Sequence, residues 1–400
     1  MPGFLKPQWV VFIALSLPLI YWTNQLSMIA PLINSIAIPV VGLIVVPLCL
    51  LALLFLNVST TVAGSLLIVA DGVLSVLFDA MRLLVEHMPS WVMPGFPGLS
   101  LTAAWALGIA SLLLLLPISL ARRVLPLVLI LLLPLAFPVA SRSLSGGFRL
   151  HILDVGQGLA VIVETAQYAM VYDTGADFGG DFNLGSAVIT PVLQELGIDR
   201  LDRVVISHGD NDHAGGLSGL LESMDVRDVV SSDASLLSGL PVHPCEESDM
   251  WVWDGVEFRF LHPDHLFDQG NRDSCVLQVT TGSTSILLTG DIDVSVERRL
   301  VLEYGQHLRS SVLIAPHHGS NSSSSYAFIK HTDPDYVVFA AGYRNGFHHP
   351  TDKMVARYLE LGVIPFNTSE TGMLSFSLLD DVATAMPALY RERRPRYWFN

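Results

Sequence analysis

Charge and cysteine are both scarce in this sequence. Only 15% of its 400 residues are charged and 51% are hydrophobic, a balance that excludes an ordinary water-soluble chain and fits one with membrane spans. The scarcity is uneven. Up to Arg149 there are six basic residues (Lys6, Arg82, Arg122, Arg123, Arg142, Arg149) against three acids (Asp71, Asp79, Glu86), about +3. Of the formal net charge of −15, about −18 therefore falls on the remainder. An acidic half is an awkward partner for a polyanion unless metal ions or a local basic patch offset its field. The three cysteines say little: Cys49 sits in an apolar run, and Cys245 and Cys275 either pair in an oxidising compartment or are small buried hydrophobes. There is no internal repeat. The first apolar run has one basic residue and no convincing small-residue cleavage site before the next span, and is not read as a cleaved signal peptide. The length predicts two domains.

The first of these is apolar. Residues 8–22 form a short run with aromatic ends, suited to a membrane interface. Residues 36–56 are about twenty apolar residues without charge, interrupted by Pro39 and Pro47, and long enough to span a bilayer. Residues 61–84 carry Asp71, Asp79 and Arg82; they read either as a span with acids facing a channel or as an interfacial amphipathic helix. A Pro/Gly loop follows, then spans at 101–120 and 124–140 separated by Ala121, Arg122 and Arg123. Short loops rich in arginine stay cytoplasmic. The last span then exits the cytoplasm, leaving everything after Ser141 outside. Five spans also keep Lys6 inside; four would put it outside.

The second domain follows a Ser/Gly linker at 141–148 and runs over 149–385, ahead of a basic-aromatic tail at 386–400. Strands are predicted at 150–155, 159–164, 169–172, 203–207, 256–261, 275–280, 285–288, 312–315 and 336–340, and helices at 186–196, 295–304, 326–330 and 353–361. Strands in quick succession with helices between them predict an α/β layered domain. The tail's YRERRPRYWFN fits backbone charge and base stacking on nucleic acid, lipid headgroups, or packing on the acidic domain.

The chemistry centres on VVISHGDNDHAGG (204–216). An apolar strand runs straight into His208, Asp210, Asp212 and His213, four potential metal ligands that a strand end would hold rigidly. A polar turn after a strand is the bland alternative. Imidazole and carboxylate both bind Zn²⁺ or Mn²⁺, and carboxylate tilts the preference towards the harder ion. Strand 285–288 ends in TGD, offering Asp291 as a carboxylate to bridge two cations, or as a helix cap. Strand 312–315 leads into PHHGS, where one of His317 and His318 should complete the shell, with His317 weakly preferred. The other would contact phosphate or orient a ligand, with Ser320 close by. His349, in the loop with Asn345, is a candidate general acid or substrate contact, or a satisfied loop histidine. Asp173, after strand 169–172, is expected to orient a metal-binding histidine. His151 reads as structural, with some room left by its nearness to Asp154. Two bridged metals activate water for phosphodiester, acyl or lactam hydrolysis, so the cluster gives a hydrolase with Asp212 as its central catalytic carboxylate, and not a substrate.

The H-x-D-x-D-H spacing resembles the H-x-H-x-D-H signature of metallo-β-lactamase-fold hydrolases, with Asp210 replacing the second histidine. LDVGQG (153–158), YDTG (172–175), ISHGDNDHAGG (206–216), LTGDI (288–292) and APHHGS (315–320), in that order, resemble the metallo-β-lactamase domain of the ComEC family, the inner-membrane channel proteins of natural competence. The segment at 27–48, with Asn-x-x-x-Ile-Pro at 34–39, is similar to that family's competence domain. The resemblance implies a helical transmembrane bundle followed by an αββα sandwich. It also implies two divalent metals, residence in the plasma (inner) membrane with a periplasmic domain, and a role in DNA uptake. The outer domain would hydrolyse the strand not taken up, or bind DNA or partners without turnover, or act on another phosphoester. Implied partners are single- and double-stranded DNA, the lipid bilayer, other competence uptake proteins, and a separate N-terminal portion or a second copy. Three departures stand out. Leu159 replaces the Asp that often follows DVGQG. No histidine lies in the expected place between His213 and Asp291, where Asn271, Asp273 or Ser274 would serve instead. The chain also begins inside the family's membrane domain, as a fragment or split gene product would.

Overall fold

The computed structural model describes residues 5–23, 26–86, 146–180, 182–233, 242–247, 249–264, 270–379 and 386–393, with isolated positions between 106 and 119. The chain divides into two compact units, Met1–Ser141 and Arg142–Asn400. The expected span at 124–140 and the Arg122–Arg123 loop lie outside the described residues, as does nearly all of 101–120.

In the first unit, the aromatic-ended run forms a helix, Leu5–Thr23. Two further helices, Ala30–Phe55 and Thr60–Leu84, are long and apolar enough to cross a membrane. The first of these widens into a π turn at Val41–Val45. Pro47 follows directly; its ring crowds the preceding turn and it offers no N–H, so the helix loosens there. The ambiguous stretch is one continuous helix, Thr60–Glu86, through Asp71 and Asp79. Helices Val46–Phe55 and Thr60–Glu86 pack together, and small residues, Ala52, Ala63 and Ala70, are the ones buried. Close approach over small side chains is how helices associate where the solvent is itself apolar. Large apolar side chains such as Leu54, Ile68 and Val76 stay exposed, a surface that water disfavours.

The second unit is built on two sheets. Among the described residues one has eight strands, in the order Ala388–Leu389, Leu374–Leu379, Gly147–Ile152, Val161–Glu164, Ala169–Tyr172, Arg203–Ile206, Val229–Ser231, Val242–Pro244. The other has seven: Ile364–Asn367, Tyr336–Phe339, Val312–Ile314, Thr284–Leu288, Val276–Thr281, Val256–His262, Met250–Trp253. Each sheet has an antiparallel part and a parallel part, with the first parallel pair in chain order at Ala169–Tyr172 with Arg203–Ile206 in one and Thr284–Leu288 with Val312–Ile314 in the other.

Alternation along the strands sets the layers. Val205 points between the sheets with Phe148, Leu150, Phe258, Phe260, Leu277, Leu288 and Phe376. Its neighbours Val204 and Ile206 point outward against Ile189, Leu193, Leu217 and Leu220 from flanking helices. In the second sheet Ile286 and Leu288 face inward, while Leu287, Leu313 and Val337 face the helices that carry Leu300, Phe328 and Tyr358. Successive side chains of a strand point to opposite faces, so strands buried on both sides read as continuous apolar runs. Each fully buried Phe or Leu contributes roughly 1.5–3 kcal/mol. Helix, sheet, sheet, helix is the four-layered metallo-β-lactamase arrangement.

The structure moves two boundaries. Gly147 and Phe148, placed in the linker by sequence, open the strand that pairs with Leu374–Leu379. The start of the tail is not free: Ala388–Leu389 extends the first sheet, and Arg391 Nη2 donates to Asp154 Oδ2 at 2.9 Å. The tail therefore packs on the domain as far as Arg391, while Glu392 and Arg393 are exposed and residues 394–400 lie outside the described ones. Cys245 and Cys275 form a disulfide, with Cα atoms 6.0 Å apart. It joins the chain just past the edge of the first sheet to the chain entering the second.

Candidate metal centre

Five strands end at one place. Asp173 follows Ala169–Tyr172, Ser207 and His208 follow Arg203–Ile206, Asp291 follows Thr284–Leu288, His317 and His318 follow Val312–Ile314, and Ala340 follows Tyr336–Phe339. Asp212 and His213 sit on the short helix Asn211–Ala214 that continues from His208. Two motif loops hold that helix. Thr174 donates from its N and its Oγ1 to the His213 carbonyl, at 2.7 and 2.9 Å. Leu159 N donates to the Asp212 carbonyl at 3.1 Å. Gly158 makes this approach possible: it has φ +132°, and a Cβ there would stand 2.4 Å from the Asp212 carbonyl oxygen.

The donor atoms of His208, His213 and Asp291 all lie within 4.8 Å of one another, and so do those of Asp212, His213 and His318. His213 Nε2 is 3.2 Å from Asp291 Oδ1 and 3.2 Å from His318 Nε2. His318 Nε2 is 3.3 Å from Asp212 Oδ2 and 3.5 Å from Asp291 Oδ1. His208, His213, Asp291 and His318 are buried; Asp212 is half-buried at the mouth. Buried His208 Nε2 and Asp291 Oδ1 have no hydrogen-bond partner among the described residues. An unsatisfied buried polar atom costs about 1–3 kcal/mol, and a divalent cation held by these imidazoles and carboxylates would remove that cost. The donor set fits such an ion.

The other ring nitrogens are fixed from behind. His213 Nδ1 is 2.8 Å from Asp173 Oδ2. Asp173 also accepts from Ser207 N at 2.6 Å and Ser207 Oγ at 2.8 Å. Ser207 Oγ lies 3.0 Å from His208 Nδ1, and Ser274 Oγ lies 3.4 Å from it. His318 Nδ1 is 2.8 Å from the Ala340 carbonyl. Contacts of this kind choose the tautomer and aim the ligating nitrogen.

The electrostatics follow. Burial pushes the Asp291 carboxyl up, but the His318 and His213 imidazoles outweigh it and hold Asp291 well below the usual carboxylate range. Asp212, also opposed by burial, is brought to about 2 by its hydrogen bond to His318 and the charge of His213. Against burial, Asp291 and Asp173 raise His213 well above the imidazole range, and Asp291 and Asp212 raise His318. A bound cation would take the place of those protons.

The remaining predicted residues divide. His318, not His317, has its Nε2 in the cluster. His317 is 29% exposed, with Nε2 3.6 Å from Asp291 Oδ2 and Nδ1 3.3 Å from Ser322 Oγ. Both histidines have left-handed backbone, φ 51° and 54°, which turns the pair so that the second faces inward. Asp210 is largely exposed, Oδ2 3.5 Å from His208 Nε2. The His349 ring lies 5.9 Å from that of His317, and its buried Nδ1 has no hydrogen-bond partner among the described residues. Asn345 is a strut, bonded to Gly342 O and His349 O rather than turned to a substrate. Ser320 Oγ pairs with Ser322 Oγ at 3.0 Å. Asp154 faces Arg391 and Gly156 N, and burial raises its carboxyl pKa. His151 bonds Ser375 and Glu164 and is structural. Between His213 and Asp291, where no histidine stands in the expected place, Ser274 supports both His208 and Asp291 N, at 3.1 Å from the latter. Ser207 and the Ala340 carbonyl were missed. Ser207's place beside His208 was a usable signal; a carbonyl leaves none.

Residues 153–342 match the metallo-beta-lactamase superfamily and residues 3–118 the Competence protein family. Competence protein ComA of Neisseria gonorrhoeae is 33% identical over 93% of this chain and 51% of its own length. The protein YcaI of Escherichia coli is 31% identical over 87% of this chain and 45% of its own. Recombination protein 2 of Haemophilus influenzae is 30% identical over 58% of this chain and 29% of its own. The chain thus spans about half the length, or less, of these curated relatives. Igni18, a metallo hydrolase of Ignicoccus hospitalis, is similar at 15% identity over 57% of this chain and 98% of that one, with a TM-score of 0.38. A competence domain followed by a metallo-β-lactamase domain that carries this ligand cluster places the chain in the ComEC family of competence proteins.

Proposed function

We propose that this chain works in DNA uptake during natural transformation, and that its second unit is a divalent-metal-dependent phosphodiesterase acting on DNA. The observation that carries this is the buried cluster of His208, His213, Asp291 and His318, in which His208 Nε2 and Asp291 Oδ1 have no hydrogen-bond partner among the described residues and a cation would satisfy both. Two divalent ions, Zn²⁺ or Mn²⁺, would be held among His208, Asp210, Asp212, His213, Asp291 and His318, each imidazole giving its one free nitrogen to a single ion. Bound there, such ions supply acidity to a water and charge stabilisation to a phosphodiester. The chain's own part is orientation: Asp173, Ser207 and the Ala340 carbonyl aim the imidazoles, and Asp212 at the mouth is placed to accept a proton. His349, whose pKa burial and the His318 and His317 charges lower, is placed to return one.

The helices Ala30–Phe55 and Thr60–Leu84 would form part of a multi-pass bundle in the inner membrane, with the second unit periplasmic. The Cys245–Cys275 disulfide supports that side, since such bonds persist in oxidising compartments. The replacement of the second motif histidine by the exposed Asp210 favours a second reading, a module that grips DNA without turnover.

The test uses the full chain in detergent with labelled DNA and Mn²⁺, Mg²⁺ or Zn²⁺. Cleavage that disappears in Asp212→Ala is expected. Absence of cleavage with every metal would sink the hydrolase reading, and stoichiometric metal binding without cleavage would favour the second one.

A further inference from the structure

Five large aromatic side chains of the second unit are exposed among the described residues: Phe178, Phe182, Tyr326, Tyr343 and Phe347. Tyr326 is engaged elsewhere, bonded to Glu360 with Arg357 over its ring. The other four, 55–72% exposed, lie in two segments that flank the metal cluster. Phe178 and Phe182 face each other with ring centroids 5.7 Å apart, held by Phe178 N donating to Phe182 O at 3.2 Å. That segment is tied to the ligand helix, because Asn211 Oδ1 accepts from Asp177 N at 3.1 Å and Asn211 Nδ2 donates to Asp177 O at 3.0 Å. Asn211 lies between Asp210 and Asp212. On the other side Phe347 stacks on His349, centroids 5.8 Å apart and planes 24° apart. His349 in turn abuts His317, and Tyr343 in the same loop has the Arg344 guanidinium 5.1 Å from its ring.

Continuity therefore runs from Phe178 and Phe182 through Asn211 and Asp212, across the Asp212–His318 contact, to His317, His349 and Phe347. Large rings left in water on both banks of a polar, ligand-rich site ask for an apolar face to cover them. A bilayer laid across both banks would seal the mouth between them. A phosphodiester chain need not: its backbone lies over the cluster while its bases reach to either side. Only unpaired bases present their π faces, and every base has one.

Building on the phosphodiesterase reading, we propose that Phe178 and Phe182 on one bank and Phe347 and Tyr343 on the other are base-stacking positions that seat an unpaired DNA strand across the metal cluster. The unit's acidic balance gives this further point. With about −18 of formal charge after Arg149, phosphate attraction is weak, and stacking supplies the grip instead. Selection is for strandedness rather than sequence.

The experiment measures anisotropy of the full chain in detergent with a labelled 12-nucleotide single strand, in chelator so that nothing is cut. Two competitors are added, an abasic strand of the same length and the duplex, and the titration is repeated at raised salt. We expect the single strand to bind roughly tenfold or more tighter than the abasic strand, with a shallow salt dependence. The difference should disappear in Phe178→Ala/Phe347→Ala. Phe347→Leu, which keeps apolar bulk without a π face, should lose binding, and Phe347→Trp should keep it. Equal binding of the abasic strand overturns the proposal, as does a double variant that still prefers bases. So does a double variant whose only change is lower thermal stability. Hydrolysis of DNA and of bis(p-nitrophenyl) phosphate with Mn²⁺ is measured alongside. Ring-dependent binding without hydrolysis would defeat the phosphodiesterase reading alone; hydrolysis indifferent to the rings would defeat this inference alone.

Discussion

The two sheets contribute to the metal centre by different means. The first supports its histidines with side chains: Asp173, buried, collects His213 Nδ1, Ser207 N and Ser207 Oγ at once. The second relies on backbone for its histidine: His318 is aimed by the Ala340 carbonyl and by a left-handed turn through His317 and His318, while a single hydroxyl, Ser274 Oγ, accepts from Asp291 N. A carboxylate relay can be tuned by one substitution, whereas a backbone cradle has to be bent. Proton affinity is shared, since Asp291 of the second sheet and Asp173 of the first both raise His213 against its burial.

The largest effect should come where both ligand groups converge. Asp291→Ala removes the carboxylate against which His213 and His318 both lie, so metal retention should fall by more than about 100-fold, beyond the loss typical of a supporting residue. Metal content after dialysis measures this; a variant that keeps its metal would mean the sheets hold separate ions. Next is the covalent tie between the sheets. Replacing Cys245 and Cys275 by serine should cost about 3 kcal/mol of unfolding free energy in a denaturant titration, and an unchanged midpoint would show that packing alone holds them together.

Asp173→Asn tests the side-chain support itself. Metal affinity should drop about 10–100-fold. The pH response has a definite sign. Asp291 and then Asp173 raise the His213 pKa, and a ligand must be unprotonated to bind. Affinity should therefore rise with pH beyond 6.5 and be lost on acidification, with the midpoint lower in Asp173→Asn; isothermal titration at several pH values would reveal a midpoint that does not move. The smallest effect tests the backbone cradle. A Cβ at Gly319, φ +83°, would meet Phe339 at 2.7 Å and Pro350 at 2.8 Å. Gly319→Ala should cost on the order of 1–3 kcal/mol of stability, read by thermal unfolding. Metal affinity unchanged in that variant would mean His318 is positioned by other means.

Much of the candidate site was legible because its segments follow strands buried on both faces, which write themselves as apolar runs. VVIS before His208, SILLTG before Asp291 and VLIA before His317 are such runs. What was illegible depended on geometry after the strand. Two adjacent histidines are equivalent on paper; a left-handed turn decides that His318 faces inward. Asp154 met Arg391 from 237 positions away, a contact no local pattern announces. Several strands escaped for local reasons. Val229–Ser231 has three residues, Val242–Pro244 ends in proline, and Met250–Trp253 is an edge strand with alternate residues exposed. Without Val229–Ser231 and Val242–Pro244, one edge of the first sheet had no visible place in the sequence.

All the cluster's strands end at the same rim, with the core entirely behind it. The segments that leave the rim, around Phe178 and Phe182 and from Tyr343 to Phe347, meet the candidate site through Asn211 and His349. They are therefore exchangeable. A lineage can lengthen, trim or rewrite either one and change what reaches the metal, without reopening a single layer of the sandwich. The frame is conservative and the margin is free, which is how one scaffold accumulates many trades.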